Sequence, residues 1–253
     1  MVVAIQNKRF DLRQQFSAVF NPRYWFNKST AQDITWMFLN SVIKLTLLIP
    51  IVGSHLWFTL ITGRFLQETL GDAPAINLPW FLIASLYAIV FLIFEDGSRF
   101  SLHYAMHRIP LLWRFHRIHH TATTLTPLTL FRVHPVESVA YFFRGTLVFG
   151  LVSGTFIWLF GRQLSTFDIL GVDLLGFIFN MAAANLRHSH IWLSFGRAEA
   201  LFISPAQHQI HHSATHRHSN LGTYLAIWDR WLKTWLPAGE HPVRDFGIKN
   251  LVT

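Results

Sequence analysis

Apolar residues are concentrated in four long stretches of the chain. These stretches cover about residues 36–62, 78–94, 139–160 and 167–184. A helix needs about 20 predominantly apolar residues to cross a bilayer, and each stretch is near or above that length. The fourth is marginal because Asp168 and Asp173 interrupt it. The pattern predicts an all-α integral membrane bundle of about four transmembrane helices.

The composition agrees with a membrane protein. Of the 253 residues, 51% are hydrophobic and only 13% are charged, whereas about 25% are charged in a typical soluble domain. An ordinary soluble enzyme and a disordered chain are therefore poor fits. The chain has no cysteine, which excludes disulfides, Fe–S clusters, thiolate zinc sites and cysteine nucleophiles.

The positive charges lie mostly on one side of the four stretches. With four crossings, seventeen of the 21 Lys and Arg residues fall in the N-terminal segment, the loop after the second stretch and the C-terminal segment. The positive-inside rule places these segments in the cytoplasm. It explains the formal charge of +8 better than nucleic-acid binding does, because the basic residues flank apolar segments. We expect a cytoplasmic or interfacial segment over residues 1–35 and a single multi-pass membrane domain over 36–253.

Eight of the 15 histidines form three closely spaced groups. The groups are His103 with His107, then His116 with His119 and His120, then His208 with His211 and His212. Helical residues three and four apart share one face, so each group can direct two or three imidazoles at one point. Imidazole suits Fe, Zn, Cu and Ni, and eight ligands exceed the four of a tetrahedral zinc site. The groups predict two metal ions, and their adjacent pairs disfavour a di-haem cytochrome.

These groups and their surroundings resemble the fatty acid hydroxylase/sterol desaturase superfamily. The resemblance is carried by HYAMHRIPLLWRFHRIHH at 103–120, RVHPVE at 132–137, NLRHS at 185–189, SPAQHQIHHS at 204–213, NLG at 220–222 and WDR at 228–230. It extends over about residues 95–235, which is more than half of the chain. Two departures from the pattern, His190 and Leu221, leave the subfamily open.

The resemblance implies a membrane non-haem di-iron oxygenase. Such an enzyme binds two iron ions and uses O₂ to hydroxylate or desaturate a lipid C–H bond, at a site under a cytoplasmic, His-rich helical cap. The implied metal ligands are His103, His107, His116, His119, His120, His188, His208, His211 and His212. Support around the ligands is expected from His134, and Glu137 and Asp229 are expected to orient imidazole N–H groups. Helix capping, or pairing with Arg132 and Arg230, is an equally open role for the two acids.

The electrons for such a reaction have to come from another protein. The chain has no Gly-x-Gly dinucleotide fingerprint, no cysteine for an Fe–S relay, and no segment long enough for a fused haem domain. We therefore expect a separate electron donor, such as a ferredoxin, cytochrome b5 or a reductase. The other expected partners are a lipid substrate and the membrane, and no nucleic acid.

Two other function classes compete with the oxygenase. A zinc-dependent membrane hydrolase would be active without O₂ or reductant, and its general base would come from Glu95, Asp96, Glu137 or Asp229. A metal transporter needs ionisable residues deep within several spans, whereas the clustered histidines lie outside them. Within the oxygenase class, hydroxylase and desaturase stay equally open because both use the same metal cage.

Overall fold

The computed structural model describes residues 3–4, 17, 20–161, 163, 186–239, 243 and 245–248. These residues are mostly helical. The helices and strands are β1 (Val3–Ala4), α1 (Pro22–Trp25), α2 (Lys28–Ile43), α3 (Ile49–Val52), α4 (His55–Leu70), α5 (Trp80–Arg108), α6 (Pro110–His116), α7 (Pro135–Phe160), β2 (Ile191–Trp192), α8 (Pro205–His211) and α9 (Ile227–Trp231). The two short strands pair in parallel, with Val3 opposite Ile191 and Ala4 opposite Trp192. The helical fold class predicted from the sequence is confirmed.

Three helical stretches in the described part of the chain are long and apolar enough to cross a membrane. They are Lys28–Leu70, Trp80–Arg108 and Pro135–Phe160. The first three predicted spans correspond to these stretches, and the fourth, over about residues 167–184, lies outside the described residues. The apolar side chains on these helices are widely exposed, for example Ile51 at 78% and Phe38 at 70%. Such exposure suits contact with lipid chains rather than with water.

The first of these stretches is too long for one straight crossing. Its 43 residues would extend about 64 Å as an α-helix, about twice the hydrocarbon thickness of a bilayer. A π-helical segment, Lys44–Leu48, follows α2. The short helix α3 comes next, and Gly53 is its C-cap. Gly53 has a φ of 90°, a conformation that glycine adopts without steric cost. The chain therefore breaks the helix between α3 and α4, inside the single span expected over residues 36–62.

The chain divides into two compact units. The first contains Met1–Ser41, Phe100–Ser138 and Ala182–Thr253, and the second contains Val42–Arg99 and Val139–Met181. All the clustered histidines belong to the first unit. The last turns of α5, from Phe100 onward, carry two of them.

The second unit is an apolar helix assembly. Its core contains Ile83, Tyr87, Val152, Phe156 and Phe160, and the buried Tyr87 hydroxyl lies 2.8 Å from the hydroxyl of Ser153. Two glycines four residues apart on α7 allow α4 to approach closely. A Cβ added to Gly150 would lie 2.6 Å from Cβ of Phe58, and one added to Gly154 would lie 2.5 Å from Cβ of Thr62. Small residues at this spacing allow such close packing of helices in membranes.

Candidate metal centre

The histidines of the first two groups lie at the end of α5, at the end of α6 and just after α6. His103 and His107 are one turn apart on α5. Proline is favourable in the first turn of a helix, and Pro110 starts α6, which ends at His116. His119 and His120 then lie in a single 3-10 turn, His119–Thr121. Three helical segments, from the end of α5 to this turn, therefore carry five imidazoles within 20 residues.

The third group lies on α8, whose start is strongly determined by its sequence. The Ser204 hydroxyl caps the helix by accepting a hydrogen bond from the backbone amide of Gln207. The side-chain oxygen of Gln207 in turn accepts one from the backbone amide of Ser204. This reciprocal capping box satisfies two backbone N–H groups that a helix start would otherwise leave unpaired. His208 and His211 then share one face of a buried helix, and His212 follows at its C-terminal end.

Five of the histidines form one cluster, called here the five-His cluster. One ring nitrogen of each of His103, His107, His116, His120 and His211 lies within 4.8 Å of the others, and all five side chains are buried. The Nε2 atom of His103 is 3.1 Å from that of His116 and 3.2 Å from that of His107. The Nε2 atom of His107 is in turn 3.2 Å from that of His120.

The remaining four form a second cluster, the four-His cluster. Its members are His119, His188, His208 and His212, again with one nitrogen each within 4.8 Å of the others. The Nε2 atom of His188 lies 3.1 Å from that of His119 and 3.0 Å from that of His208. The two clusters adjoin, since the rings of His120 and His212 stack with centroids 4.8 Å apart. The nine histidines of the two clusters are the nine that the resemblance implies as ligands.

Hydrogen bonds on the far side of four rings fix their tautomers. The Nδ1 atom of His103 lies 2.7 Å from the carbonyl oxygen of Leu221, and that of His211 lies 2.9 Å from the carbonyl oxygen of Ser219. The Nδ1 atom of His119 lies 3.2 Å from the carbonyl oxygen of Arg132, and that of His116 lies 2.8 Å from the carboxylate of Glu137. These oxygens only accept, so each Nδ1 donates. Each neutral ring therefore presents a lone pair on Nε2.

The resulting lone pairs favour a bound cation. With both rings neutral, both Nε2 atoms of the 3.1 Å contact between His103 and His116 carry lone pairs, and a positive ion between them turns a repulsive contact into a favourable one. The Nε2 atom of His211 is buried without a hydrogen-bond partner among the described residues. Ligands about 2.1 Å from one ion are about 3.0 Å apart at right angles and about 3.4 Å apart at tetrahedral angles. The observed separations therefore match the edges of a coordination shell, and the residues fit a bound metal ion.

Burial lowers the pKa of several imidazoles of the site. Burial, followed by the charge of His188, lowers the pKa of His119, and burial with His211 and His212 lowers that of His120. Burial and His116 lower the pKa of His211 to about 3. A neutral imidazole is the form that binds a metal, so the site is ready to accept one at neutral pH.

The three expected supporting residues occupy three different positions. Glu137 contacts a cluster directly through His116. Asp229 acts through the backbone: its carboxylate accepts hydrogen bonds from the amides of Leu221 and Gly222, and the Leu221 carbonyl holds His103. His134 instead caps the start of α7, where its Nδ1 accepts from the Val136 amide. The Glu137 and Asp229 carboxylates therefore orient the five-His cluster, whereas His134 stabilises the start of α7.

Replacing Glu137 with glutamine is expected to weaken metal binding at the five-His cluster by about 10–100-fold, the usual cost of losing a partner of a metal-binding histidine. The amide removes the negative charge that fixes the His116 tautomer while leaving the side-chain shape almost unchanged. Competition with a chelator measures the affinity. Ser138→Ala, at the next buried position of α7, is the control and keeps the wild-type affinity. An unchanged affinity in Glu137→Gln would contradict this role.

Three further histidines lie near the clusters without joining them. His190 is buried and stacks on Tyr24, with ring centroids 3.9 Å apart. His216 is exposed and contacts the hydroxyl of Thr215. The ring of His218 lies 5.8 Å from that of His107. None of the three belongs to a candidate metal-binding group within the described residues.

Sequence reasoning missed an ion pair that supports the four-His cluster. The guanidinium of Arg132 donates to the Asp33 carboxylate at 2.6 Å and to the Ser29 side chain at 2.8 Å. Arg132 and Asp33 are 1% and 0% exposed. Asp33 also accepts a hydrogen bond from Thr129. The pair fixes the residue whose carbonyl holds His119, although its two members are far apart in the sequence.

Two curated proteins are similar to this chain in sequence. The ornithine lipid hydroxylase OlsE of Rhizobium tropici is 26% identical over 163 residues, which cover 64% of this chain and 45% of that protein. The alkylglycerol monooxygenase of Danio rerio is 24% identical over 162 residues, which cover 60% of this chain and 33% of that protein. The matched region thus spans less than half of either relative. No solved structure matches the chain significantly.

The family model described as fatty acid hydroxylase matches residues 88–234. This range exceeds half of the chain and contains every histidine of the two clusters. It also contains Glu137 and Asp229, which hold the five-His cluster in position. The protein belongs to the fatty acid hydroxylase family.

Proposed function

We propose that this protein is a membrane-bound, non-haem di-iron oxygenase that hydroxylates a C–H bond of a lipid. The observation that carries the proposal is the pair of adjoining, buried, all-histidine clusters. Membership of the fatty acid hydroxylase family supports it. So do the names of the two relatives, a lipid hydroxylase and an alkylglycerol monooxygenase.

The donor sets favour iron over zinc. Among the described residues, neither cluster includes a carboxylate or a thiolate. Zinc at a structural site takes four ligands, whereas one cluster here offers five nitrogens. Imidazole suits iron, and the fifth imidazole of the five-His cluster exceeds the four ligands of a zinc site. Two metal sites side by side suit a reaction that needs two electrons.

The chain's own residues prepare the site in three ways. Burial keeps the imidazoles neutral, and the Nδ1 hydrogen bonds point their Nε2 atoms at two common positions. The Glu137 carboxylate increases the basicity of His116 through its hydrogen bond. When bound, the two metal ions would supply the activation of O₂ needed to insert one oxygen atom into a C–H bond.

The positions of the acidic residues do not favour a zinc hydrolase. Such an enzyme needs a carboxylate that can act as a general base. Glu137 is bonded to the far side of the His116 ring and Asp229 to backbone amides. Glu95, in the second unit, pairs with Arg99 at 2.7 Å and with Arg144 at 2.8 Å. Three of the four acids considered for hydrolysis are therefore already engaged.

The proposed partners are a lipid substrate, the membrane and a separate electron carrier. The substrate is an acyl or alkyl lipid: three helices are long and apolar enough to cross a membrane, and both relatives are named for lipids. The clusters lie on the cytoplasmic side, as the distribution of Lys and Arg indicates. A separate carrier, such as a ferredoxin or cytochrome b5, supplies the electrons.

Lipid analysis under isotopically labelled O₂ tests the proposed function. Lipids are extracted from cells that express the wild-type protein or His116→Ala and are analysed by mass spectrometry. We expect cells with the wild-type protein to contain a hydroxylated lipid that carries oxygen from O₂. Cells with the variant should lack it. An unsaturated lipid would mean a desaturase instead. A product formed under nitrogen, or one labelled from water, would overturn the proposal in favour of a hydrolase.

A further inference from the structure

The indole of Trp113 connects the five-His cluster to the surface of the first unit. Its ring centroid lies 5.2 Å from that of His107, 5.5 Å from that of His120 and 6.1 Å from that of His116. The indole thus contacts three proposed ligands of one metal ion. Trp113 itself is only half-buried, so one aromatic group spans the layer between the ligands and the surface.

A guanidinium covers the outer side of this indole. The Cζ atom of Arg217 lies 5.2 Å from the centre of the Trp113 ring, within the range of a cation–π contact. Arg217 also lines a small polar pocket together with His120 of the five-His cluster and His212 of the four-His cluster. Positive charge is therefore held at a pocket that a histidine of each cluster also lines.

Other positive charges surround Arg217. Arg108 directly follows the ligand His107 and is exposed, and Arg117 is exposed four residues after Trp113, on the same side of its helix. Arg217 donates to His218 at 3.4 Å. The ring of His218 lies 5.8 Å from that of His107, the residue directly before Arg108. We call this surface of Arg108, Trp113, Arg117, Arg217 and His218 the Trp113 face.

Acidic side chains do little to offset these charges. In the described part of the first unit, the acids Asp33, Glu137, Glu199 and Asp229 are all buried. Each already accepts hydrogen bonds from neighbouring groups, Glu199 for example from Ser194, Ser204 and the Ala238 amide. Asp245 is the one exposed acid within that part, and its carbonyl accepts a hydrogen bond from the Ala214 amide, three residues before Arg217. The three arginines of the Trp113 face outnumber this one acid, so the described face carries a net positive charge.

We propose that the Trp113 face is the docking site and electron entry point for an acidic one-electron carrier protein. The inference rests on the proposed function, because hydroxylation combines the substrate with O₂, two electrons and two protons to give an alcohol and water. The carrier delivers the two electrons one at a time. Complementary charge attracts and orients it, and the indole provides an aromatic path to the ligands.

A protein partner fits this face better than a lipid surface does. The exposed apolar residues of α6 include Leu111, which is 65% exposed. Leu111 and Trp113 are two residues apart, so they point to opposite sides of the helix. Lipid contact is therefore expected on the Leu111 side, while the Trp113 side offers charge, a polar pocket and contact with the ligands.

Carrier binding tests the inference with a readout that does not depend on turnover. The purified protein in nanodiscs of neutral lipid is titrated with cytochrome b5 and with a [2Fe–2S] ferredoxin, and the Kd is measured. We expect Arg217→Glu and Arg108→Glu to weaken binding of at least one carrier about tenfold, with the loss diminishing at high salt. Arg217→Lys keeps the charge and most of the affinity. Arg197→Glu, an equal charge change in the turn Gly196–Ala200, is the matched control and has little effect.

Two further measurements separate this inference from the proposed function. Metal content and hydroxylation driven by a chemical reductant report on the proposed function alone, and both are expected to be unchanged in Arg217→Glu. Equal carrier affinity in wild type and Arg217→Glu, including a failure of both to bind, would overturn the docking site. It would also be overturned if the variants changed only the association with vesicles of anionic lipid, since the face would then contact the membrane.

Discussion

Replacing His120 with alanine is expected to remove the metal ion from the five-His cluster and to abolish lipid hydroxylation. His120 contributes an Nε2 atom 3.2 Å from that of His107, and its ring stacks on His212 of the neighbouring cluster. Its loss removes one proposed ligand and also the stacked ring contact with the four-His cluster. The metal content should fall from two ions per chain to one or none.

Two other histidines serve as matched controls for that variant. His134→Ala removes a helix cap and His216→Ala removes an exposed ring, and neither residue belongs to a cluster. Both variants should keep two metal ions. His134→Ala should cost about 1 kcal/mol of stability, the typical value of a helix N-cap. Full metal content and hydroxylation in His120→Ala would refute the role assigned to the five-His cluster.

Replacing Asp33 with alanine is expected to reduce the free energy of unfolding by about 3–5 kcal/mol. The substitution leaves the guanidinium of Arg132 buried without its counter-charge, which is the costly way of breaking a buried ion pair. It also removes the acceptor of the Thr129 hydroxyl. Because the Arg132 carbonyl holds His119, we expect the four-His cluster to lose metal before the five-His cluster does. Thermal unfolding in detergent and metal analysis measure the two effects.

Two comparison variants show whether the buried charge is the cause. Glu68→Ala removes an exposed acid and should change the stability by less than about 0.5 kcal/mol. The double variant Asp33→Leu/Arg132→Met replaces both charges with apolar groups and should be more stable than Asp33→Ala. A double variant that is as unstable as the single one would show that packing, rather than the unpaired charge, dominates.

The spacing of the histidines carried much of the information about the site. Residues three and four apart on a helix have to share a face, so the grouping of His103 with His107 and of His208 with His211 could be predicted without coordinates. The family was likewise predictable from the motifs and is confirmed by the match over residues 88–234. The division of the nine histidines into clusters of five and four was not, because it depends on how α5, α6 and α8 pack together.

Other features of the site have no recognisable sequence pattern. Every residue has a carbonyl, so nothing marks those of Leu221, Ser219 and Arg132 as acceptors for imidazoles. The partner of Arg132 is Asp33, 99 positions earlier, and no local pattern links the two. The break at Gly53 was also missed, because a glycine within an apolar run is compatible with a continuous span. The predicted fourth span and the cytoplasmic side of the site stay predictions.

Metal analysis of the purified protein from iron-replete cells, combined with its optical spectrum, tests the central claim most directly. We predict two irons per chain, one for each histidine cluster, no Soret band, and loss of metal in His119→Ala and His211→Ala. A Soret band would indicate a haem protein and contradict the claim. So would zinc that persists under iron-replete growth and supports turnover under nitrogen.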